Sequence, residues 1–440
     1  MQYIFRNATI VTMSNRGIVQ GDLLIVNDKI KDIGKNIMPM DMSRSSHPYP
    51  ADHIEIDMSG KVIIPGLIQT HVHLCQTLFR NKAENLKLLP WLKEKIWPLE
   101  ASHTKETLGL SAELGIAELL LSGTTTILDM GTVHNMEAVF EVVKYMKIRA
   151  VIGKTLMDDC EGAPAALTET TAQAFAEACQ LIGQYHNTCN QRIKVALAPR
   201  FLLSASKELY TICAAEARRT GCLLHTHTSE QQSENQAVRT RFNQESIEFL
   251  NDTGFLGSST VLAHCIFLSD SERELIRRTG THIAHCPSSN LKLGSGICDV
   301  SELLRDGVNV TLGADGAACN NRLDIFTEMR QAALLQSVKY GPDSITAKQI
   351  FEMATIRGAS ALGMSKTIGS IQEGKKADLV VLDLNQVHNV PLSKDLYTAI
   401  VYTADSRNVE QVWVDGERVV HNKRLLVSDV DEIVQRVNGL

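Results

Sequence analysis

The sequence predicts an α/β protein: a distorted (β/α)8 barrel of the TIM type with a small β-sandwich domain formed by both termini. Eight strand-like segments alternate with helical patterns through the middle of the chain, as such a barrel requires. Short alternating segments occupy both ends, and 440 residues exceed one average domain. We therefore expect residues 1–60 and 370–440 to form the β-sandwich domain and residues 61–369 to form the barrel.

The two ends of the chain have the residue patterns of small antiparallel sheets. Near the N-terminus, apolar and polar residues alternate in segments such as 8–12 and 22–26, with Asn27-Asp28 as a turn. The C-terminal region repeats this pattern, and Asp415-Gly416 between two apolar runs is typical of a two-residue hairpin. Residues 40–50, rich in Ser, Pro and Met, indicate an exposed loop.

The middle of the chain supplies the barrel strands and the helices between them. Helical patterns occur, for example, at 108–121, which suits either the outer ring of a barrel or a subunit interface, and at 207–220. Residues 79–100 form a long connection that is either a lid over the site or a helix packed by Trp91 and Trp97. The predicted strands are 62–71, 124–130, 149–156, 193–200, 222–228, 260–265, 282–287 and 308–313.

Composition narrows the class of protein. With 44% hydrophobic and 21% charged residues the chain resembles an ordinary globular protein, and its net charge of −6 without a basic block argues against a nucleic-acid partner. No apolar run reaches the roughly 20 residues that cross a bilayer, and the first residues lack a signal-peptide pattern. The ten cysteines contain no C-x-x-C pair. We expect buried thiols in a reduced, cytoplasmic setting.

Histidine and acidic side chains gather at the predicted strand ends, where the active site of such a barrel lies. His71 and His73 are two apart and so face the same side of a strand. Three histidines and a carboxylate suit zinc or iron(II), and such a metal makes hydroxide available near neutral pH. A nearby carboxylate and a further imidazole could then move a proton and orient the nucleophile. The strand-end residues are His71, His73, His225, His227, Glu230, His264 and Asp315.

Together these motifs resemble the amidohydrolase superfamily. They are similar in particular to the branch of guanine deaminase, the 5′-deoxyadenosine, methylthioadenosine and S-adenosylhomocysteine deaminases, and the triazine hydrolases. The likeness extends to residues 374–379 and implies the barrel, the composite β-sandwich and one catalytic metal per subunit. The metal ligands implied by the resemblance are His71, His73, His227 and Asp315.

The same resemblance implies further roles at the site. Glu230 is the implied proton shuttle, and His264 and Asp315 lie against the attacking hydroxide. His225 faces the same side as His227, and we expect it to lie deeper as a hydrogen-bonded residue. Two-metal members carry a carboxylated lysine on strand four, which ends here in residues 196–200 without one. This favours a single metal, and Lys154 on strand three is expected to be structural.

Side chains near the site point to two classes of substrate. Gln76, Arg200 and Phe201 resemble guanine and pterin deaminases, where an arginine fork holds an amino-oxo ring and phenylalanine stacks on it. The alternative for Arg200 is a salt bridge under a loop.

Segments 285–293 and 313–321 look more like the adenosine-type enzymes. In those enzymes the stretch corresponding to Trp97 and Glu100 binds ribose; Glu100 is otherwise an acid near a helix start. Ser288 and His285 line the pocket in one interpretation, and His285 is a core histidine in the other.

The sequence therefore predicts a metal-dependent aminohydrolase that releases ammonia from an aminated heteroaromatic ring. A guanine- or pterin-like ring is the preferred substrate. The alternatives are a 5′-deoxyadenosine, methylthioadenosine or S-adenosylhomocysteine deaminase, a triazine (chloro)hydrolase, and a binding protein without catalysis. We expect one Zn²⁺ or Fe²⁺ per subunit, a small-molecule substrate, no nucleic-acid or membrane partner, and a homo-oligomer.

Overall fold

The computed structural model describes residues 1–40 and 53–440, so most of the loop predicted at 40–50 lies outside the described residues. Its strands form two nine-stranded sheets. The strands are β1 (Gln2–Val11), β2 (Ile18–Val26), β3 (Lys29–Gly34), β4 (His53–Asp57), β5 (Val62–Pro65), β6 (Leu67–His73), β7 (Thr124–Asp129), β8 (Arg149–Leu156), β9 (Ile193–Pro199), β10 (Leu223–Thr228), β11 (Thr260–His264), β12 (His282–His285), β13 (Asn309–Leu312), β14 (Asp315–Gly316), β15 (Leu379–Leu382), β16 (Val409–Val414), β17 (Glu417–His421) and β18 (Arg424–Leu425).

Helices follow most strands of the middle region, and the pattern predicted at 207–220 coincides with one of them. The helices are α1 (Leu88–Trp91), α2 (Trp97–Ala101), α3 (Lys105–Leu121), α4 (Met136–Met146), α5 (Thr171–Tyr185), α6 (Thr188–Gln191), α7 (Lys207–Thr220), α8 (Gln232–Phe242), α9 (Ser246–Asp252), α10 (Asp270–Thr279), α11 (Pro287–Lys292), α12 (Val300–Arg305), α13 (Ile325–Tyr340), α14 (Ala347–Met353), α15 (Ile356–Ala361), α16 (Leu396–Thr398) and α17 (Val430–Asn438). Short 3₁₀ turns lie at Leu74–Phe79, Ala165–Leu167 and Ser406–Asn408, and π turns at Leu92–Ile96 and Ala399–Thr403. No helix in the described ranges is long and apolar enough to span a membrane.

The central sheet is the predicted barrel. Its strands run parallel in the order β13, β12, β11, β10, β9, β8, β7, β6, β14. Gly313 and Ala314 separate β13 from β14, and β14 pairs with β6 through Asp315↔Val72 and Gly316↔His73. β13 and β14 thus act as one bent eighth strand that brings the chain back to the first, and the prediction of a TIM-like barrel is confirmed.

The first predicted barrel strand, residues 62–71, was wrong as a single element. β5 pairs with β1 and β15 in the other sheet, and only β6 enters the barrel. The chain crosses between the two sheets at Gly66. A Cβ on Gly66 would lie 2.1 Å from Thr125 Oγ1, so only glycine fits this crossing. The segment predicted as one strand therefore contributes β5 to the second sheet and β6 to the barrel.

The second sheet combines both ends of the chain. Its order is β18, β17, β16, β15, β5, β1, β2, β3, with β4 pairing with β1. Trp413 packs edge-on against Tyr3 and Phe5, with ring centroids 4.7 and 5.2 Å apart. This confirms that the termini build one accessory β-structure, while the exact domain boundaries stay a prediction. The predicted hairpin at Asp415 and Gly416 joins β16 to β17, and both residues have positive φ.

The connection after β6 covers the carboxyl ends of the barrel strands. Trp91 and Trp97 are both buried, in a cluster that includes Phe201 and Leu293. The segment is thus packed by its tryptophans, which is one of the two interpretations that the sequence left open. All ten cysteines are free thiols, and most are buried.

Candidate metal centre and active site

Three barrel strands deliver the four predicted ligands to one rim. His71 and His73 lie on β6, His227 on β10 and Asp315 on β14, and parallel strands end at the same edge of the barrel. One nitrogen or oxygen atom from each of these four side chains lies within 4.8 Å of the others. The structure therefore brings together all four residues for which the sequence predicted metal binding.

The geometry of this cluster fits a divalent metal. The Nε2 atoms of His73 and His227 are 3.1 Å apart, and those of His71 and His73 each lie 3.3 Å from Asp315 Oδ1. His71 Nε2 is buried and has no hydrogen-bond partner among the described residues. A buried polar atom left without a partner is costly. Three imidazole nitrogens and one carboxylate form a donor set that zinc accepts.

Hydrogen bonds behind the cluster fix which ring nitrogen faces it. His227 Nδ1 donates to the Arg200 carbonyl oxygen at 2.6 Å, which leaves the lone pair on Nε2. His225 Nδ1 donates to the Val261 carbonyl oxygen, so its Nε2 accepts from His71 Nδ1 at 2.8 Å. His71 Nε2 then also presents a lone pair to the centre. His225 is the deeper, hydrogen-bonded residue that the sequence predicted.

Burial and charge set the ionisation states needed for ligation. Burial is the main cause that lowers the pKa of His73 and of His227 well below the usual value, so both imidazoles are neutral. Burial opposes ionisation of Asp315, but His71, His73 and His264 outweigh it and hold its pKa well below normal. Ser289 Oγ also donates to Asp315 Oδ2 at 2.7 Å. Neutral imidazoles and an ionised carboxylate are the ligating forms of these side chains.

Glu230 and His264 form a second pair beside the ligands. Their Oε2 and Nε2 atoms are 3.5 Å apart, and His264 Nε2 lies 3.8 Å from Asp315 Oδ2. His264 Nδ1 donates to Asn290 Oδ1, and Ser295 Oγ donates to Glu230 Oε1. Burial raises the pKa of Glu230, although His264 partly opposes this. A carboxylate tuned in this way is suited to accept and return a proton.

Two residues of this rim have a left-handed backbone conformation. His264 and Asp315 adopt φ values of 74° and 63°, in the left-handed region that side chains other than glycine rarely occupy. Strain of this kind persists where the surrounding structure fixes it, and it is common at active sites. It turns both side chains toward the cluster.

A small closed cavity lies over the cluster. It measures about 30 Å³, which is room for about one or two water molecules. Its floor is the metal cluster with Glu230 and His264, and its cover is apolar. The cover side chains are Leu88, Trp91, Leu92, Phe201 and Leu293. Entry of a heterocyclic substrate therefore requires the cover to move.

The predicted substrate residues divide into two groups. Gln76, Arg200 and Phe201 line the cavity, whereas Trp97, Glu100 and Ser288 are not among the lining residues. Trp97 is buried behind the cover. The Ser288 backbone N–H donates to Glu328. The roles predicted for these six residues in substrate binding stay predictions.

Glu100 engages both polar residues that the sequence assigned to the substrate ring. Arg200 donates to it through two nitrogens, at 2.5 and 3.0 Å, and Gln76 Nε2 donates to Glu100 Oε1 at 3.0 Å. The buried salt bridge considered for Arg200 is therefore present. The guanidinium still borders the cavity, but its charge is balanced within the protein.

Sequence reasoning missed Glu234, which also lines the cavity. Its Oε2 accepts the backbone N–H of Glu230 at 2.8 Å, and its Oε1 is buried without a partner among the described residues. Burial, reinforced by the charge of Glu230, raises the pKa of Glu234 to about 7. The spacing of four residues from Glu230, at the start of a helical pattern, was the available signal.

Residues 62–419 match the model of the amidohydrolase family. The chain belongs to this family. A 5′-deoxyadenosine deaminase of Methanobrevibacter smithii is 36% identical over 434 residues, which cover 98% of this chain and 96% of that protein. A 5-methylthioadenosine/S-adenosylhomocysteine deaminase of Bacillus cereus is 33% identical over 439 residues, covering 99% and 97%.

Solved structures of other amidohydrolase-like enzymes share the whole architecture. An adenosine deaminase from Xanthomonas campestris with bound zinc superimposes with a TM-score of 0.90 at 28% identity, covering 99% of this chain and 97% of that one. A guanine deaminase from C. acetobutylicum gives 0.84 at 27% identity, covering 95% and 100%. The predicted resemblance, and the prediction of a hydrolase from the deaminase branch, are confirmed.

Proposed function

We propose that this amidohydrolase is a zinc-dependent deaminase of a 5′-modified adenosine nucleoside. The observation that carries the chemistry is the cluster of His71, His73, His227 and Asp315, with Glu230 and His264 beside it. The zinc-containing relative supports the choice of metal, with iron(II) as the alternative. The two deaminases of adenosine derivatives that align over nearly the full chain support the substrate class.

Each polar residue at the centre then has a defined task. A divalent metal held by the four ligands supplies water that is activated near neutral pH. Glu230 takes one proton from the attacking water and delivers it to the ring nitrogen, and it then takes the remaining hydroxyl proton and delivers it to the leaving amine. His264, oriented by Asn290, holds the attacking oxygen from the other side. The new C–O bond replaces the C–N bond, and ammonia leaves.

The hydrogen-bonding character of the cavity favours an amine- and hydroxyl-bearing ligand. Glu100 already accepts from Arg200 and from the Gln76 amide nitrogen. Apart from the proposed metal ligands, three cavity-lining side chains have an atom left without a protein partner in the described structure: the acceptors Gln76 Oε1 and Glu234 Oε1, and the donor Trp91 Nε1. Acceptors pair with the exocyclic amine and ribose hydroxyls of an adenosine, whereas a ring carbonyl needs a donor.

A guanine- or pterin-like ring is the second candidate. Arg200 and Phe201 line the cavity, as the sequence interpretation required. If substrate entry separated Arg200 from Glu100, the guanidinium would become the donor that a ring carbonyl needs. The two candidates therefore differ in whether this ion pair persists in the complex.

Ammonia release from the zinc-loaded protein tests both candidates. The panel is 5′-deoxyadenosine, methylthioadenosine, S-adenosylhomocysteine, guanine, isoxanthopterin and melamine, with chloride release from atrazine measured separately. We expect the highest kcat/KM with an adenosine derivative. Turnover of guanine or isoxanthopterin alone would establish the second candidate, and chloride release alone would establish a chlorohydrolase. Tight binding without turnover of any compound would establish a binding protein.

A further inference from the structure

A second cavity lies at the opposite end of the barrel from the metal centre. It measures about 300 Å³ and lies between the first residues of β8 and β9, the turn from β2 to β3, and residues 364–376. Its size is at the lower limit of small-ligand pockets. Nothing in the proposed deamination uses it.

Positive charge exceeds negative charge in this cavity. Arg149 pairs with Asp378 at 2.6 Å and with Asp415 at 3.2 Å, and Lys376 pairs with Asp415 at 2.9 Å and with Asp28. Three further lysines also line the cavity, and none of them makes a salt bridge to a residue in the described ranges. These are Lys29, Lys194 and Lys366. Five cations thus face three carboxylates.

Lys194 is the most constrained of the three unpaired lysines. It is the second residue of β9, its side chain is half-buried, and its ammonium has no hydrogen-bond partner within the described chain. Burial, together with the charge of Arg149, lowers the pKa of Lys194. An anion beside this ammonium would offset the cost of its partial burial.

Strained backbone forms one wall of the cavity. Cys189, Asn190 and Gln191 are consecutive residues with φ of 49°, 59° and 61°, a left-handed turn that L-residues disfavour. The turn places Asn190 Nδ2 on Asp28 at 3.0 Å and on Asp415 at 3.1 Å. Asn190 thus links Asp28 of the terminal sheet to Asp415 of the hairpin between β16 and β17.

We propose that this cavity binds a phosphate group, either inorganic phosphate or the phosphate of a small phosphorylated metabolite, with Lys194 as the central ligand. Near neutral pH such a group carries nearly two negative charges and has several acceptor oxygens. It would balance the two excess cations and give Lys194 the partner that it lacks. Arg149 and Lys376, already paired, form the fixed wall, while Lys29 and Lys366 close over the anion from the rim.

Titration calorimetry of the zinc-loaded protein with inorganic phosphate, at ionic strength held constant with potassium chloride, tests the proposal. We expect saturable binding, and a rise in Tm of roughly 2 °C at saturating phosphate. Lys194→Met, which retains the apolar stem, should abolish both signals, whereas Lys207→Met on α7 should retain them. Equal binding by wild type and Lys194→Met would overturn the proposal, because the phosphate would then sit elsewhere, for example at the metal.

Amine labelling followed by peptide mass spectrometry gives a second measurement that needs no substitution. Phosphate should protect Lys194 from acetylation several-fold and leave Lys207 unchanged. Unchanged labelling of Lys194 would contradict the proposal. Repeating the titration with ribose 5-phosphate, which lacks the adenine ring of the proposed substrate, distinguishes the sources. Tighter binding than phosphate indicates a phosphorylated metabolite, and weaker binding indicates the free anion.

Discussion

Two buried arginine–carboxylate pairs lie at opposite ends of the barrel and have different surroundings. At the carboxyl ends of the strands, Arg200 meets Glu100 beside the cavity over the metal cluster. At the amino ends, Arg149 meets Asp378 and also Asp415, which in turn binds Lys376. The second pair is part of a charge network that joins the barrel to the terminal sheet. The further side-chain partners of the first pair in the described structure, Gln76 and Cys75, donate to Glu100 and carry no opposite charge.

The comparison shows why a buried ion pair alone does not identify a function. Both pairs have bidentate geometry and both are almost inaccessible to solvent. What distinguishes the rim is the set of buried polar atoms without partners around it, such as His71 Nε2 and Glu234 Oε1. Unsatisfied groups require a ligand, whereas a satisfied network contributes to stability and structural specificity. Substitutions at the two ends should therefore affect different properties.

The largest effect is expected from Glu230→Gln at the rim. This change removes the proton-accepting group but keeps the shape and the bond from Ser295. We expect kcat to fall by roughly 10²–10⁴-fold, with zinc content and Tm nearly unchanged. Steady-state kinetics and metal analysis measure this. A near-normal rate would contradict the assignment of Glu230 as proton shuttle.

Arg149→Met at the opposite end should lower the stability of the protein and leave its activity nearly unchanged. It leaves Asp378 and Asp415 without their buried partner, and breaking such a pair costs about 3–5 kcal/mol. Urea unfolding should show this loss, while kcat/KM per folded molecule stays within about twofold of wild type. A large loss of specific activity with normal stability would mean that the two ends are coupled.

Arg200→Met tests the rim pair itself. It should destabilise the protein by about 2–4 kcal/mol, because Glu100 is left buried and uncompensated. Adding Glu100→Gln to the same protein should restore most of that loss. For the two substrate candidates, the double variant should lose activity toward an oxo-purine far more than toward an adenosine. Equal losses would show that Arg200 does not determine substrate specificity.

Glu234→Gln should give an effect that vanishes at acidic pH, unlike the changes above. Folding raises the pKa of Glu234 to about 7, so the native state holds a proton that the unfolded state releases near pH 4.3. Stability from this group is thus fully present below pH 4.3 and lost as pH rises toward 7. The amide oxygen can still accept from Glu230, so the variant should be more stable than wild type by about 3–4 kcal/mol at pH 8 and equal near pH 4. A stability difference that is independent of pH would show that Glu234 stays ionised.

Much of the rim could be predicted because its residues are close in sequence to strand ends. Short spacings in the sequence determine which side chains lie together at a strand end. Examples are His71 and His73 on one strand, and His227 and Glu230 at the end of another. The Arg200–Glu100 pair depends instead on where a long connection packs, and no local pattern specifies a contact across 100 residues.

The pairing of β5 in the terminal sheet could not be predicted for a similar reason. A β-branched run predicts a strand but does not identify its neighbours. The size of the cavity likewise depends on side-chain packing of Trp91 and Leu293, which a sequence pattern does not encode. The predicted oligomer and the lid function of 79–100 concern contacts and motions beyond a single static subunit, and both stay predictions.

The crossing at Gly66 has a consequence for the order in which a growing chain can fold. β5 lies between β1 and β15, so one of its edges has no partner until residues 379–382 have left the ribosome. Every proposed metal ligand lies between residues 71 and 315, upstream of that point. The metal centre can therefore assemble during synthesis, while the terminal sheet is completed only when the last part of the chain arrives.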